Sequence, residues 1–213
     1  MGLARVLLVE DDVFIRATLS SLLSSKGFSV VGAVETADEA LVIQELHDPE
    51  VLVTDLDLGP GPNGIDIAIA LRNRNPQIGV IILTSFSDPR LSDPRTAPLP
   101  KGAMYFTKSK VSDTSILLSA VLQAKHRPLM SASTRRPEQS GLTETQIEIL
   151  RLVSEGQTTA SIAKERNVSE KSVEAALSRI YGILGLERSH ELNPRVQLTR
   201  AYFRLSGKKL PNE

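Results

Sequence analysis

Val51-Leu52-Val53-Thr54-Asp55-Leu56-Asp57-Leu58 is a short apolar, partly β-branched run that ends on a carboxylate and then meets Gly59, Pro60, Gly61 and Pro62. A buried parallel strand reads this way when it delivers an acidic side chain to the carboxyl edge of a sheet, where open α/β folds keep their ligand sites. Taken singly the run has a plainer explanation, because an acid after an apolar strand commonly just starts a solvated loop. The reading is decided by three further stretches, around Glu10-Asp11, Thr84 and Lys108.

Upstream, Ala4 to Val9 is apolar apart from Arg5 and stops at Glu10-Asp11-Asp12. Val13, Phe14, Ala17, Leu19, Leu22 and Leu23 then recur at helical spacing as far as Lys26, and Gly27 is a stop. Phe28–Ala33 reads as a strand and Ala37–His47 as a helix. Downstream come a helix over Ile65–Asn73, a strand Gly79–Leu83 ending at Thr84-Ser85, a strand Ala103–Thr107 ending at Lys108, and a helix Thr114–Ala124. Strands alternating with helices predict a doubly wound, flavodoxin-like α/β domain with a parallel five-stranded sheet over residues 1–124.

In such a sheet the strand ends at Glu10-Asp11, Asp55, Thr84 and Lys108 share one rim. Three carboxylates crowded there repel one another and call for a cation. An all-oxygen set without His or Cys favours a hard, partly hydrated ion, which points to Mg²⁺. A carboxylate held against such an ion can attack a phosphoryl group, and a lysine and a hydroxyl near the phosphoryl oxygens complete the set. Each residue alone has an ordinary alternative: Lys108 as a solvated strand end, Thr84 as a helix cap, Tyr105 as core-edge packing. The Glu10-Asp11-Asp12 run alternatively serves a helix N-terminus, and that reading suits Asp12 best. Four such motifs on one rim favour a site.

Val9-Glu10-Asp11-Asp12, Thr54-Asp55, Leu83-Thr84-Ser85 and Tyr105-Phe106-Thr107-Lys108 resemble, in order and spacing, the receiver domain of two-component response regulators. The resemblance implies that Asp55 is phosphorylated by a sensor histidine kinase. It also implies that Glu10, Asp11, Asp55 and the Asp57 backbone carbonyl hold Mg²⁺. Thr84 and Lys108 would then engage the phosphoryl group, and Tyr105 would change rotamer with Thr84. One stretch departs from the family. Where receivers carry a regular helix, this chain has Ser87-Asp88-Pro89-Arg90-Leu91-Ser92-Asp93-Pro94-Arg95, followed by Pro98 and Pro100. Asp-Pro can begin one helical turn, but the second Pro interrupts anything longer. A short helix or turn and then an extended segment are expected, with consequences for the relay and for dimer geometry.

Residues 125–140 read as a linker, with Lys125, Arg127, Pro128, Arg135, Arg136 and Pro137 among small polar residues. Over 141–213 the pattern is all-helical. Thr143 and Gln146 form a capping-box pair, and Ile147, Leu150 and Val153 continue one face up to Gly156. A short helix spans Thr158–Arg166, Asn167-Val168 makes a turn, and Ser169 caps a helix to Leu184 before Gly185. Two helices joined by so short a turn are a helix-turn-helix. Leu142-Thr143, Ile149-Leu150, Gly156, Ile162-Ala163, Val168-Ser169-Glu170-Lys171-Ser172-Val173 and Leu184-Gly185-Leu186 resemble the LuxR/FixJ (NarL-like) DNA-binding domain. A last helix begins at Asn193-Pro194 and runs to about Leu205. The resemblance implies that it pairs two subunits on DNA, while Val196, Leu198, Ala201, Tyr202 and Leu205 equally suit packing on their own domain.

The reading face is unusual. Glu174, Ala175 and Ala176 stand where relatives commonly carry Lys, Asn and His, Thr159-Ala160-Ser161 replaces a polar and basic set, and Gly182-Ile183 a basic pair. The candidate DNA contacts are Lys171, Ser172, Glu174, Ser178 and Arg179, with Glu170 or Glu174 able to accept from cytosine. Residues 142–190 hold six Lys+Arg against seven Asp+Glu, too few cations for a phosphate-dominated binder. Weak monomer affinity rescued by dimerisation or a partner follows, and a protein-interaction role for a degenerate helix-turn-helix stays open, as does regulation without phosphorylation.

Composition sets the outer bounds. The 213 residues are 41% hydrophobic and 23% charged, ordinary for globular protein. Residues 1–124 carry 10 Lys+Arg against 15 Asp+Glu and residues 125–213 the reverse, 15 against 10, which suits a polyanion partner for the second half. There is no cysteine, so disulfides and thiolate metal sites are excluded. Neither a signal-peptide core nor a bilayer-length segment is present. The expectation is a cytoplasmic, non-enzymatic regulator that accepts a phosphoryl group, slowly loses it, and binds promoter DNA as a homodimer.

Overall fold

A computed structural model describes residues 2–86, 88–91, 97–108, 114–129, 141–186 and 192–206. The second Ser-Asp-Pro-Arg unit and most of the expected linker lie outside the described residues. The chain packs as two compact units, residues 1–84 with 96–136, and residues 85–95 with 137–213.

The first unit is built on five parallel strands: β1 (Arg5–Val9), β2 (Ser29–Val34), β3 (Val51–Thr54), β4 (Gly79–Thr84) and β5 (Met104–Thr107). Their order is β2-β1-β3-β4-β5. β1 therefore meets β2 on one side and β3 on the other, and the strand order reverses at that crevice, where open α/β sheets bind ligands. Register places Val9 beside Thr54, Thr54 beside Ile82, and Thr84 beside Thr107, so the strands finish along one rim.

Among the described residues four helices alternate with the strands: α1 (Val13–Ser25), α2 (Ala37–His47), α3 (Gly64–Arg74) and α4 (Thr114–His126). β3 and β4 are buried at every position, the mark of central strands covered on both faces. On one face Val6, Leu8, Val51, Val53, Ile81, Leu83 and Met104 meet Leu23 of α1 and Leu117, Ala120, Val121 and Ala124 of α4. Helix starts follow local chemistry. Asp12 caps α1, its Oδ1 accepting from Ile15 N–H at 2.9 Å, while Thr36 with Glu39 and Asn63 with Asp66 form reciprocal capping boxes. Among the described residues the Asp-Pro-Arg segment forms a 3₁₀ turn over Pro89–Leu91, in line with the short turn expected there.

The second unit contains α5 (Glu144–Ser154), α6 (Thr159–Glu165), α7 (Glu170–Ile183) and α8 (Pro194–Ser206). Thr143 and Gln146 make the expected box: Gln146 N–H donates to Thr143 Oγ1 at 3.3 Å and Thr143 N–H to Gln146 Oε1 at 2.8 Å. Between α6 and α7, Asn167 adopts φ 53° and Val168 N–H bonds back to Ala163 O at 3.0 Å, closing the tight turn. Ile147, Leu150, Val153, Ile162, Val173, Ile180, Leu198 and Ala201 are buried. Arg195 fastens the start of α8, donating to Gln157 O at 2.8 Å and Thr159 Oγ1 at 3.1 Å.

Candidate functional site

β1 and β3 end side by side, and their terminal acids meet. Glu10, Asp11 and Asp55 each offer a carboxylate oxygen, all within 4.8 Å of one another. Glu10 is 1% exposed and Asp55 8%, whereas Asp11 is open to solvent. Two carboxylates in so dry a place need a counter-charge. Lys108, delivered by the end of β5, provides one. Its Nζ lies 2.7 Å from Asp55 Oδ2 and 2.9 and 2.8 Å from the two oxygens of Glu10. The other Asp55 oxygen, Oδ1, accepts from Leu56 N–H at 2.6 Å and Asp57 N–H at 3.4 Å, which pins the carboxylate with Oδ2 on the lysine side.

The electrostatics follow from that crowding. Burial, reinforced by the Asp55 charge, pushes the Glu10 carboxyl up to about 7 in spite of the Lys108 hydrogen bond. Burial acts against the charged form of Lys108, yet Asp55 and Glu10 outweigh it and raise its pKa. An all-oxygen set of three acids, with no imidazole or thiolate in the cluster, suits a hard divalent ion.

Of the residues singled out in the sequence, Glu10, Asp11, Asp55 and Lys108 come together directly. Thr84 closes β4 with its side chain fully buried, and Tyr105, 8% exposed, pairs in register with Ile82 two residues before it. Asp57 touches the cluster through its N–H. Asp12 stands apart as the α1 cap.

Two supports were not legible beforehand. Arg16, on the first turns of α1, donates to the carbonyls of Glu10 and Asp11 at 2.5 and 3.2 Å and pairs with Glu35 at 3.4 Å, holding the acidic pair from behind. A Cβ added at Gly64 would lie 1.9 Å from the Asp55 carbonyl oxygen. Only glycine lets α3 start so close to the Asp55 backbone. The Asn63 and Asp66 spacing is a local signal for the start of α3, but nothing local marks Arg16.

In the second unit, α7 turns Glu170, Lys171, Glu174, Ala175, Ser178 and Arg179 to solvent and keeps Val173, Ile180 and Tyr181 inward. The candidate contact residues therefore share an open face. Ser172 is partly committed, since its Oγ lies 2.8 Å from the cap hydroxyl of Ser169. On α8, Leu198, Ala201 and Tyr202 are buried and Leu205 is half-buried, while Val196 is 47% exposed. Most of that apolar set packs within its own unit.

Comparison with known proteins gives two family matches. Residues 6–118 match the response regulator receiver domain, and residues 140–192 match the bacterial regulatory proteins of the luxR family. The chain is 32% identical over 200 residues to the DNA-binding transcriptional activator DevR/DosR of Mycobacterium tuberculosis, covering 87% of this chain and 90% of that protein. It is 26% identical to the nitrate/nitrite response regulator NarL of Escherichia coli, covering 80% and 84%. Its fold is similar to that of RcsB from Salmonella enterica serovar Typhimurium, solved bound to promoter DNA with a phosphomimetic. The TM-score is 0.57 at 21% identity, over 96% of this chain and 98% of that one.

Proposed function

Because the chain belongs to the response regulators, a receiver domain followed by a luxR-family regulatory domain, we propose that it is a transcriptional regulator switched by phosphorylation of Asp55. The observation that carries this reading is the meeting of Asp55 Oδ2 with Lys108 Nζ at 2.7 Å inside the Glu10-Asp11-Asp55 cluster. Asp55 Oδ2 attacks the phosphorus of a phosphohistidine on a sensor kinase. The P–O bond forms as the P–N bond breaks, and the imidazole leaves and takes up a proton from solvent. Lys108 already sits against the attacking oxygen and passes to a phosphoryl oxygen, while the Leu56 and Asp57 N–H groups hold Oδ1 and fix the direction of attack. Thr84 donates its hydroxyl to the phosphoryl group and Tyr105 follows it.

Glu10, Asp11, Asp55 and the Asp57 carbonyl are the groups that would hold Mg²⁺. When bound, the ion supplies charge neutralisation for the phosphoryl oxygens. Hydrolysis of the aspartyl phosphate by water resets the switch slowly, with no other substrate turned over. Among the described residues no helix is long and apolar enough to cross a membrane, in keeping with a cytoplasmic site of action.

α7 is proposed to enter the major groove of promoter DNA, with Lys171, Ser172 and Arg179 on the phosphates and Glu174 and Ser178 towards base edges, on a homodimer. A second reading is favoured by one observation, the exposed acids Glu170 and Glu174 on that face. It makes the second unit a protein-docking module. The test of the main reading is treatment with phosphoramidate and Mg²⁺, followed on a phosphate-affinity gel. Wild type shifts and Asp55→Asn does not. Equal modification of both proteins ends the Asp55 assignment.

A further inference from the structure

Arg16 does more at the rim than its place on α1 explains. Its guanidinium turns back from the first turns of the helix towards the end of β1. There Nη1 donates to the carbonyls of both Glu10 and Asp11, at 2.5 and 3.2 Å, while Nη2 pairs with Glu35 at 3.4 Å. The arginine side chain is 17% exposed against 55% for Glu35, so the cation is the sheltered member of that pair. Glu35 is itself held in place. It directly follows β2, and its N–H donates to Glu39 of the α2 capping box at 3.1 Å. The Glu10 backbone is fixed from two directions, its N–H donating to Val34 O of β2 at 3.0 Å and its carbonyl accepting from Arg16. Asp11 lies past the ladder that ends at Val9, and Arg16 ties its carbonyl instead.

We propose that Arg16 is a positioning residue for the divalent-ion site. By clamping two consecutive carbonyls it fixes the direction in which the Glu10 and Asp11 carboxylates leave the backbone, and so sets the affinity for the ion. The inference rests on the acidic-cluster reading above and adds to it a residue that, being a cation, cannot itself be a ligand. Charge and position make opposite demands here. A guanidinium close behind a cation site repels the ion, so removal of its charge alone would tighten binding. Loss of the clamp instead frees two acid-bearing residues, and outer-shell partners of this kind are worth about 10–100-fold in metal affinity. The sign of the change therefore separates the two.

The test uses the full chain and Mn²⁺ alone as the probe, with free Mn²⁺ counted by electron paramagnetic resonance. Arg16→Met is expected to weaken binding about tenfold. Arg16→Lys keeps the charge but lacks the planar fork, and stays at least about threefold weaker than wild type. Glu35→Gln leaves the arginine in place with a neutral anchor, at little risk to folding, and weakens binding about twofold. In phosphoramidate labelling the change falls on the half-saturating Mg²⁺ concentration, by the same factors, rather than on the limiting rate. Unchanged or tighter Mn²⁺ binding in Arg16→Met and Glu35→Gln overturns the inference, as does full recovery in Arg16→Lys. Should Arg16→Met fail to fold, the other two variants decide by the same criteria. A wild type that binds Mn²⁺ no better than Asp11→Asn overturns the acidic-cluster reading instead, and the role of Arg16 with it.

Discussion

Lys108 neutralises two carboxylates at once, and that double duty shapes what a cation can do at the rim. In the resting chain Glu10 shares the lysine with Asp55. A divalent ion on Glu10 and Asp11 would relieve the lysine of one partner and leave it free for a phosphoryl oxygen. The state of Glu10 also sets a pH dependence. Its folded pKa stands near 7 against an ordinary 4.5, so the fold favours its protonated form. That contribution is fully present below about 4.5 and is lost as pH rises through about 7. The metal-free protein is therefore expected to melt roughly 3–5 °C lower at pH 8 than at pH 6, by differential scanning fluorimetry. Glu10→Gln flattens this dependence, and a wild-type Tm flat with pH would count against the buried, charge-crowded Glu10. In the sequence the acids were legible from their place at strand ends. Arg16 was not, because a backbone-clamping arginine on a helix looks like any solvated one.

At the scale of elements, the rim depends on how closely α3 begins behind β3. The Gly64 N–H bonds to Leu56 O at 3.0 Å, and a side chain there would run into the Asp55 carbonyl. Gly64→Ala is expected to cost about 1–3 kcal/mol or more in urea unfolding. It should also lower beryllofluoride affinity, since relief of the clash moves the Asp55 backbone. A variant as stable and as competent as wild type would show that α3 can retreat freely. Helix and strand positions followed the sequence closely because periodicity and caps are local: Thr143 with Gln146, Asn193 before Pro194, and Gly27 after α1 all act where they were read. Boundaries moved by a residue or two where a neighbour decided them. α4 runs to His126 rather than Ala124, and its end packs so close to Gly79 that a Cβ there would lie 2.5 Å from the Ala124 carbonyl.

Across the whole molecule, charge is divided while its sum is zero, and the proposed DNA-contact face of α7 carries acids beside its cations. DNA binding by such a face has a shallow salt dependence, because few phosphates are neutralised. Lys171→Ala and Arg179→Ala are each expected to weaken binding to any duplex alike and to reduce the log–log salt slope by about one, read by fluorescence anisotropy over a salt series. A wild type without a salt-dependent signal favours the protein-docking reading of α7. The grouping of residues 85–95 with the helical unit also belongs to this scale. Two prolines flagged that stretch as something other than a regular helix, but they carried no word of where it would rest.

The order of apolar runs, their two periods and the polar residues at their ends were enough to specify a parallel α/β unit with an acidic rim, followed by a helix-turn-helix. These are properties of neighbours in the chain, where spacing and capping act over a few residues. The sharing of one lysine between Glu10 and Asp55, the Arg16 grip on the Glu10 and Asp11 carbonyls and the need for Gly64 came only with the packed structure. The lysine joins groups 53 and 98 positions away, and even the shorter-range Arg16 and Gly64 contacts have distances set by how helices stack on the sheet rather than by any local preference.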